Sequence, residues 1–334
     1  MIDDICVPKI IRVSIGSAIV LRLARGRMDA LPTTVYLLTY RDGKCAANCG
    51  FCPQAKSSKG RVDMLSRVTW PSFQTMRVIS EIENATRQNT TRRVCIQALN
   101  YPTVFDDVLA IVSNIHSRCM VPISVSCQPV NNETMQKLKE AGVERIGIPL
   151  DAATEEVFDK IKGKHAKGPY IWQKQLTLLQ NAVKVFGKNM VSTHLIAGLG
   201  ETEKDMVKII QHCVDMSVYP SLFAFTPIFG TALEFSSPPS INAYRRVQLA
   251  RHLIIQEKMR YGNMHFDGNG RITDFGVPKE TLHETIRSGV PFLTSGCPDC
   301  NRPYYNEKPG GPLFNFPRMP VWEEIGEIEK VFKQ

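Results

Sequence analysis

The sequence predicts an α/β protein whose parallel sheet forms a TIM-type (βα) barrel, complete or nearly so. Short β-branched runs alternate with longer amphipathic stretches, which is the pattern of parallel βα units. Six such units fit within the 334 residues, and barrels of this kind commonly use about 250 residues as one domain. The expected strands are residues 34–38, 94–98, 122–126, 145–149, 191–196 and 222–225.

The segments on either side of these units differ from them. The expected domains are a helical extension (1–32), the barrel (33–290) and a Cys-containing tail packed on the barrel (291–334). The extension is predicted to be helical because Ile10, Ile11, Ile15, Ile19 and Leu23 have helix-compatible spacing. A further short strand is expected within 261–276. The tail is rich in Pro, Gly and aromatics, which predicts irregular structure up to a short helix at 321–332.

The composition excludes several classes of protein. With 43% hydrophobic and 22% charged residues, the chain is neither disordered, nor collagen-like, nor a coiled coil. The longest apolar candidate, residues 13–23, is interrupted by polar residues and is shorter than the ~18 residues that a membrane span needs. Asp3 and Asp4 precede it and no small-residue cleavage site follows, which argues against a signal peptide. A cytoplasmic protein without membrane contact is expected.

The formal net charge is +9, from 41 Lys and Arg against 32 Asp and Glu. The basic residues are scattered, apart from short clusters such as Lys160, Lys162, Lys164 and Lys167. No nucleic-acid-binding signature accompanies them, so nucleic acid is not an expected partner. The charge predicts either a surface for an acidic partner or plain solubility.

Ten cysteines are many for a cytoplasmic chain, where disulfides rarely persist, so metal or redox chemistry is expected. Cys45, Cys49 and Cys52 follow the first predicted strand with the spacing C-x3-C-x2-C. Three thiolates at this spacing can reach three irons of one cubane cluster and leave the fourth iron without a protein ligand. A structural zinc site is the alternative, but no fourth ligand lies nearby in the sequence.

This motif resembles that of the radical S-adenosylmethionine (SAM) superfamily. The resemblance implies a [4Fe–4S] cluster whose open iron binds the amino and carboxylate groups of SAM. It also implies that Cys45, Cys49 and Cys52 are the catalytic cluster ligands. Electron transfer from the cluster would then cleave SAM to a 5′-deoxyadenosyl radical, which abstracts hydrogen from an unreactive carbon.

Residues 34–275 further resemble biotin synthase and its relatives. Phe51, between the second and third cysteines, corresponds to a residue near the adenine. The segment 95–100, with Ala98 and Asn100, stands where the family receives the SAM amino group. Asp151 keeps the carboxylate of a ribose-binding Asn-Leu-Asp motif, whereas Pro149 replaces its Asn. Segment 194–201 resembles an adenine-side motif and adds these implied contacts: Ile196, Gly198 and Glu201.

Biotin synthase also carries a second iron–sulfur cluster, held by three Cys and one Arg, as its sulfur donor. Cys95 and Cys127 occupy the first two Cys positions, but Ser192 stands at the third and Arg271 aligns poorly with the Arg. The tail adds Cys297 and Cys300 as a C-x2-C pair, a common half-site for zinc or iron–sulfur. If the tail folds back over the barrel mouth, the four cysteines Cys95, Cys127, Cys297 and Cys300 could form a second cluster site.

Purely structural roles for these cysteines also remain possible interpretations. Cys297 and Cys300 could bind zinc or form a reduced pair that holds the tail, and Cys95 and Cys127 could be small buried hydrophobes. Three others are expected to be buried or incidental thiols: Cys6, Cys119 and Cys213. Four aromatic or imidazole side chains could line a pocket but are not assigned to catalysis: His194, His265, Tyr304 and Tyr305.

The tail sequence also resembles one member of the two-protein lipoyl synthases, on the residues from Cys297 to Glu307 and the Gly-Pro-Leu-Phe-Asn-Phe-Pro that follows. That resemblance implies a sulfurtransferase that acts on an octanoyl chain attached to a lysine of a lipoyl carrier domain. The implied partners are this carrier domain, a second lipoyl synthase protein and an electron donor. Carrier domains are often acidic, which suits a chain of charge +9.

Two other hypotheses remain. A biotin-synthase-like enzyme of the methylornithine-synthase or hydrogenase-maturation type would rearrange or fragment a small molecule, and its second cluster would be absent or dispensable. A zinc-stapled barrel without catalytic activity is the remote alternative. Zinc without iron–sulfur absorbance would favour that barrel.

Overall fold

A parallel sheet wrapped by helices dominates the structure, a computed structural model that describes residues 7–128, 130–307 and 311–333. Cys6 lies outside the described residues. The strands are β1 (Ile10–Val13), β2 (Thr34–Leu38), β3 (Met64–Leu65), β4 (Val68–Thr69), β5 (Ser72–Gln74), β6 (Arg93–Gln97), β7 (Ile123–Ser126), β8 (Val143–Gly147), β9 (Val191–Ala197), β10 (Val218–Ala224), β11 (His265–Phe266) and β12 (Ile272–Asp274).

The helices alternate with the parallel strands. They are α1 (Ile15–Val20), α2 (Thr75–Arg87), α3 (Val104–His116), α4 (Asn132–Glu140), α5 (Glu155–Ile161), α6 (Trp172–Phe186), α7 (Glu203–Asp215), α8 (Ile241–Ile255), α9 (Lys279–Arg287) and α10 (Trp322–Val331). Short 3-10 turns occupy Tyr261–Asn263 and Val290–Phe292.

The six predicted strands are confirmed as β2 and β6 to β10, which lie side by side in the order of the chain and pair in parallel. Strand β9 shows why this sequence suits a covered sheet. Val191, Thr193 and Leu195 are fully buried on the side that faces away from the cavity, whereas Ser192 and His194 alternate with them and line the cavity. A strand places successive side chains on opposite faces, so one face packs against helices while the other lines the interior.

The N-terminal segment is a correction to the predicted helical extension. Residues Ile10–Val13 form β1, which pairs antiparallel with β2 and with β5, and only the six-residue helix α1 follows it. The same apolar spacing that fits a helix also fits a short β-branched run, and periodicity alone does not separate the two. In this case, sheet pairing decides the conformation.

The sheet remains open along one side. Its order, β10-β9-β8-β7-β6-β2-β1-β5, places β10 and β5 at the two ends in the described part of the chain. The tail covers the free edge of β10, where Ser295 Oγ accepts a hydrogen bond from Leu222 N (2.7 Å) and donates one to Leu222 O (3.2 Å). The Ser295 side chain thus satisfies backbone groups of β10 that a further strand would otherwise bond.

The tail then crosses beneath the amino-terminal ends of the strands. Arg93 donates to Pro298 O (3.1 Å) at the start of β6, and Thr33 N bonds Asn301 Oδ1 (3.0 Å) just before β2. Ser66 Oγ donates to Tyr305 O (2.7 Å) in the β3–β4 hairpin. The two tail cysteines therefore enter from the amino-terminal side of the strands. Further along the tail, Asn306 O accepts a hydrogen bond from Thr226 Oγ1 (2.8 Å), just beyond the carboxyl end of β10.

Two smaller expectations are also resolved. The segment 261–276 contributes a separate two-stranded sheet, β11 and β12, instead of one more barrel strand. The predicted final helix is confirmed as α10. None of the described helices is long and apolar enough to span a bilayer.

Candidate active site

A cavity of about 280 Å³ occupies the interior of the barrel. Inward-facing side chains of the parallel strands form its walls, and the loop after β2 and the tail complete them. Seven cysteines line this one space: Cys45, Cys49, Cys52, Cys95, Cys127, Cys297 and Cys300. All the cysteines predicted to hold iron are therefore brought to one cavity, whereas Cys119 and Cys213 do not line it.

The loop after β2 holds the first three cysteines, and backbone hydrogen bonds fix it. Cys45 N donates to Gln54 O (2.8 Å), and Cys52 N donates to Cys49 O (3.0 Å). The loop that follows β6 is tied to it, since Asn100 N donates to Cys45 Sγ at 3.2 Å. These bonds position three thiols on one wall of the cavity.

The donor chemistry of this loop fits an iron–sulfur cluster. Burial raises the pKa of Cys52 to about 12 and raises that of Cys49 further. Neighbouring thiols add to both shifts, Cys45 to that of Cys52, and Cys52 and Cys45 to that of Cys49. Such thiols ionise only when a strong positive charge, such as that of bound iron, compensates them. In residues 7–128, 130–307 and 311–333 no three Cys, His, Asp or Glu side chains converge on a single-ion site. A cubane does not require that arrangement, because each thiolate binds a different iron.

Most of the predicted SAM contacts surround these thiols. Phe51, Ala98, Asn100, Asp151 and Ile196 all line the cavity. The structure places Gly198 and Glu201 differently, in the turn after β9 and outside the cavity lining. Glu201 accepts hydrogen bonds from Gly198 N (2.7 Å) and Leu199 N (3.0 Å), so its carboxylate shapes the turn.

A buried ion pair contains Asp151, the residue predicted to contact the ribose. Lys162 Nζ lies 2.6 Å from Asp151 Oδ2 and 2.9 Å from Pro149 O, with its side chain fully buried. The ammonium also sits 5.0 Å from the centre of the Tyr170 ring, a cation–π contact. Sequence reasoning placed Lys162 in a basic surface cluster and missed Tyr170. Phe158 and Ile161 are apolar positions on the buried face of α5, and Lys162 directly follows them. That apolar pattern is the sequence signal that could have placed Lys162 on the inner face.

A second group of thiols lies deeper in the cavity. Burial raises the pKa of Cys95, and the neighbouring Cys297 and Cys300 raise it further. Gln97 Nε2 donates to Cys95 Sγ (3.1 Å), Ser124 Oγ bonds Cys297 Sγ (3.4 Å), and Tyr36 Oη bonds Cys300 Sγ (3.3 Å). The group thus unites one strand cysteine with both tail cysteines.

Cys127 stands apart from this group. Burial alone raises its pKa to about 12, and no other cysteine contributes to the shift. Its side chain belongs to the hydrophobic core as much as to the cavity wall. The structure therefore brings together three of the four cysteines predicted for a second cluster.

An arginine that sequence reasoning missed accompanies the second group. The guanidinium of Arg302 lies 3.8 Å from the centre of the Phe223 ring, and its Nη2 donates to Ser295 O (2.6 Å). Its Nε is buried and has no hydrogen-bond partner among the described residues. Burial raises the pKa of Cys300, and Arg302 opposes that rise. Arg271, considered from sequence, is instead exposed on the β11–β12 hairpin and does not line the cavity.

The unassigned imidazole and aromatic candidates divide into two pairs. His194 and Tyr305 line the cavity, whereas His265 and Tyr304 do not. Burial lowers the pKa of His194 to about 4, so its ring is neutral at physiological pH. Ser192, at the position considered for a third cysteine ligand, also lines the cavity.

The chain is similar to known proteins and to solved structures. Biotin synthase from Picosynechococcus sp. is 25% identical over 270 residues, covering 78% of this chain and 68% of that one. Biotin synthase from Clostridium perfringens is 26% identical over 205 residues, covering 60% of each chain. The match thus spans less than two thirds of the Clostridium protein.

Two solved structures share the fold. The FeFe-hydrogenase maturase HydG from Carboxydothermus hydrogenoformans superposes with a TM-score of 0.53 at 16% identity, covering 68% of this chain and 52% of HydG. Methylornithine synthase PylB gives 0.51 at 15% identity, covering 67% of this chain and 62% of PylB. At these identities the likeness concerns the fold alone.

The family model of the radical SAM superfamily matches residues 43–213, slightly more than half of the chain. The matched range contains the three-cysteine loop and the Asp151–Lys162 pair. The chain therefore belongs to the radical SAM superfamily, whose members work with a [4Fe–4S] cluster and SAM.

Proposed function

We propose that the protein is a sulfurtransferase of the lipoyl synthase type. It inserts sulfur into an unactivated C–H position of a protein-bound octanoyl chain, together with a second lipoyl synthase protein. The observation that carries this proposal is the group of Cys95, Cys297 and Cys300, which faces the same cavity as the SAM-cluster loop. A radical enzyme that only rearranges its substrate has no need for this second set of buried thiols.

The chemistry of sulfur insertion supports this assignment. An unactivated methylene must first lose a hydrogen atom, and a sulfur source must then lie close to the carbon radical. When bound, the cluster and SAM supply the hydrogen-abstracting radical. The protein contributes a largely apolar cavity, with the three-cysteine loop on one wall and the second thiol group on another.

The second thiol group fits an auxiliary iron–sulfur cluster. Cys95, Cys297 and Cys300 would hold it, while Tyr36, Ser124 and Gln97 orient the three sulfur atoms through hydrogen bonds. Arg302 adds a positive charge next to buried thiols that must lose protons to bind iron. In this proposal Cys127 is a core residue and not a ligand.

The remaining cavity suits an acyl chain. Leu38, Leu65, Phe225 and Ile228 provide apolar lining on the side of the SAM-cluster loop. Small-molecule sites are typically apolar cavities of this order of size with few polar groups. An octanoyl chain is flexible and apolar, so it gains from burial along such walls.

The decisive experiment is iron and sulfide analysis after anaerobic reconstitution. We expect about eight irons per wild-type chain and about four in Cys297→Ala/Cys300→Ala, as two cubanes would give. The matched control, Cys119→Ala/Cys213→Ala, removes two thiols outside the cavity and should keep about eight. A value of about four in all three proteins would remove the second cluster. That result would favour the rearrangement or fragmentation of a small molecule, the chemistry of the methylornithine-synthase or hydrogenase-maturation type.

A further inference from the structure

Three loops meet on one side of the cavity entrance. They are residues 47–60, 161–168 and 228–236. Asn48 Nδ2 donates to Ala166 O (2.6 Å), which ties the first loop to the second. Lys59 N donates to Gly230 O (2.7 Å), which ties the first loop to the third. The three loops therefore form one continuous rim.

This rim borders the cavity directly. Phe51, Pro53 and Ile228 belong to these loops and line the cavity. Tyr170, just beyond the second loop, lines it as well. Any group that reaches the SAM-cluster loop from this side passes over the rim.

Two large aromatic side chains on the rim point into solvent. Phe229 is 88% exposed and Phe235 is 94% exposed, and Phe229 directly follows a cavity-lining residue. An exposed phenylalanine has no role in the fold's own core, and aromatic residues are enriched where protein surfaces bind partners. The pair therefore indicates a contact surface beside the entrance.

The rim is also basic. Lys56, Lys59, Lys164 and Lys167 are all exposed on it. Two carboxylates beside these loops make contacts of their own: Asp159 pairs with Lys164 (3.3 Å), which offsets one of the four ammonium groups, and Glu234 accepts a hydrogen bond from Gly230 N (2.7 Å). The rim thus combines positive charge with two apolar anchors, which complements an acidic surface.

We propose that this rim, formed by Lys56, Lys59, Lys164, Lys167, Phe229 and Phe235, is the docking surface for an acidic carrier domain. The inference rests on the proposed function, and it names where the protein-bound substrate sits. A chain attached to a lysine cannot travel far from its domain, so the domain must dock beside the entrance that the chain enters. The lysines steer the acidic domain towards the entrance, and the phenylalanines anchor it there.

The test compares two probes that carry the same reactive group. One is an acidic lipoyl carrier domain with Nε-octanoyl-lysine, and the other is a tripeptide with the same modified lysine. The rim variants are Phe229→Ser/Phe235→Ser and Lys164→Glu/Lys167→Glu. Matched controls are Met120→Ser/Trp322→Ser, at exposed apolar positions elsewhere, and Lys184→Glu/Lys188→Glu on and after α6.

We expect each rim variant to raise the Kd for the carrier domain by about tenfold or more, because interface anchors are lost. The Kd of the tripeptide and the iron content should stay unchanged, and the controls should bind both probes as the wild type does. Equal loss for both probes, or unchanged carrier binding in the rim variants, would overturn the docking surface and leave the proposed function standing. Failure of the wild type to bind or modify the carrier domain would overturn both.

Discussion

At the scale of single residues, Asp151 and Lys162 form a charged pair inside the cavity wall that also holds the loop of Cys45, Cys49 and Cys52. The ammonium contacts the Asp151 carboxylate, the Pro149 carbonyl and the rings of Tyr170 and Phe158. Such a pair adds little net stability compared with apolar residues of the same size, but each charge depends on the other. The pair therefore fixes the position of Asp151 at the cavity.

Removing one charge of the Asp151–Lys162 pair should destabilise the fold. We expect Lys162→Met to lower the free energy of unfolding by about 3–5 kcal/mol, because it leaves a buried carboxylate without a partner. The double variant Asp151→Asn/Lys162→Met should recover most of that loss. Urea unfolding followed by circular dichroism measures both values, and a double variant as unstable as the single one would contradict the interpretation.

A second residue-scale prediction concerns the cluster loop. Cys49→Ala should abolish formation of 5′-deoxyadenosine from SAM, since the cluster loses one of its three thiolate ligands. Cys213→Ala, at a buried thiol outside the cavity, is the matched control and should retain the activity. Quantifying deoxyadenosine after anaerobic reconstitution decides the matter, and product formed by Cys49→Ala would refute the ligand assignment.

At the residue level, the sequence identifies candidate site residues where their spacing is characteristic. Cys45, Cys49 and Cys52 are recognisable because three thiols stand within one short loop. Lys162 and Arg302 are not recognisable in this way, because a lone basic residue is usually exposed. Only the tertiary path of α5 and of the tail brings these two into the cavity.

At the scale of elements, helix α8 shows how the tail changes the environment of a helix. Two of its three buried arginines bind backbone carbonyls: Arg245 donates to Phe314 O (2.6 Å) in the tail, and Arg251 donates to Pro220 O (2.6 Å) in β10. The helix is therefore covered by the sheet on one side and by the tail on another. Strand positions were predictable from β-branched runs, whereas this coverage depends on contacts between distant parts of the chain.

The same helix carries a pH-sensitive group. Burial, with Arg251 and Lys258 nearby, lowers the pKa of His252 to about 4. The unfolded chain binds a proton near pH 6.5 and the folded chain does not, so folding loses stability as the pH falls from about 6.5 towards 4. His252→Gln should show a smaller drop in Tm between pH 7.5 and pH 5 than the wild type. Equal drops in scanning calorimetry would contradict this.

At the scale of the whole molecule, the tail and the barrel depend on each other. Tail residues close the free edge of β10, cross beneath β6 and β2, and supply two thiols to the cavity. The net charge of +9 is also distributed unevenly, because Arg12, Arg93, Arg245, Arg246 and Arg251 are buried. The exposed positive charge is thus smaller than the net charge of the sequence indicates. For binding an acidic partner, the local density of lysines at the entrance therefore matters more than the total net charge.

Removal of iron should weaken this mutual support. A cluster bound only by the native state stabilises it, so anaerobic chelation should lower the Tm of the reconstituted protein. If the tail cysteines hold a cluster, chelation should also make residues 291–307 more accessible to a protease. In Cys297→Ala/Cys300→Ala the protease pattern should be the same before and after chelation. A tail that is equally protected in the wild type with and without iron would count against a cluster that ties it down.

The path of the tail has a consequence for how the protein is made. Thr33 and Asn301, hydrogen-bonded at the base of the barrel, are 268 positions apart in the chain. During translation the β2 and β6 ends emerge early, while their covering segment is among the later parts to leave the ribosome. Until then the edge of β10 is unprotected and the Cys95 thiol is open from below. We therefore expect the nascent chain to be more prone to aggregation until the tail covers the β10 edge.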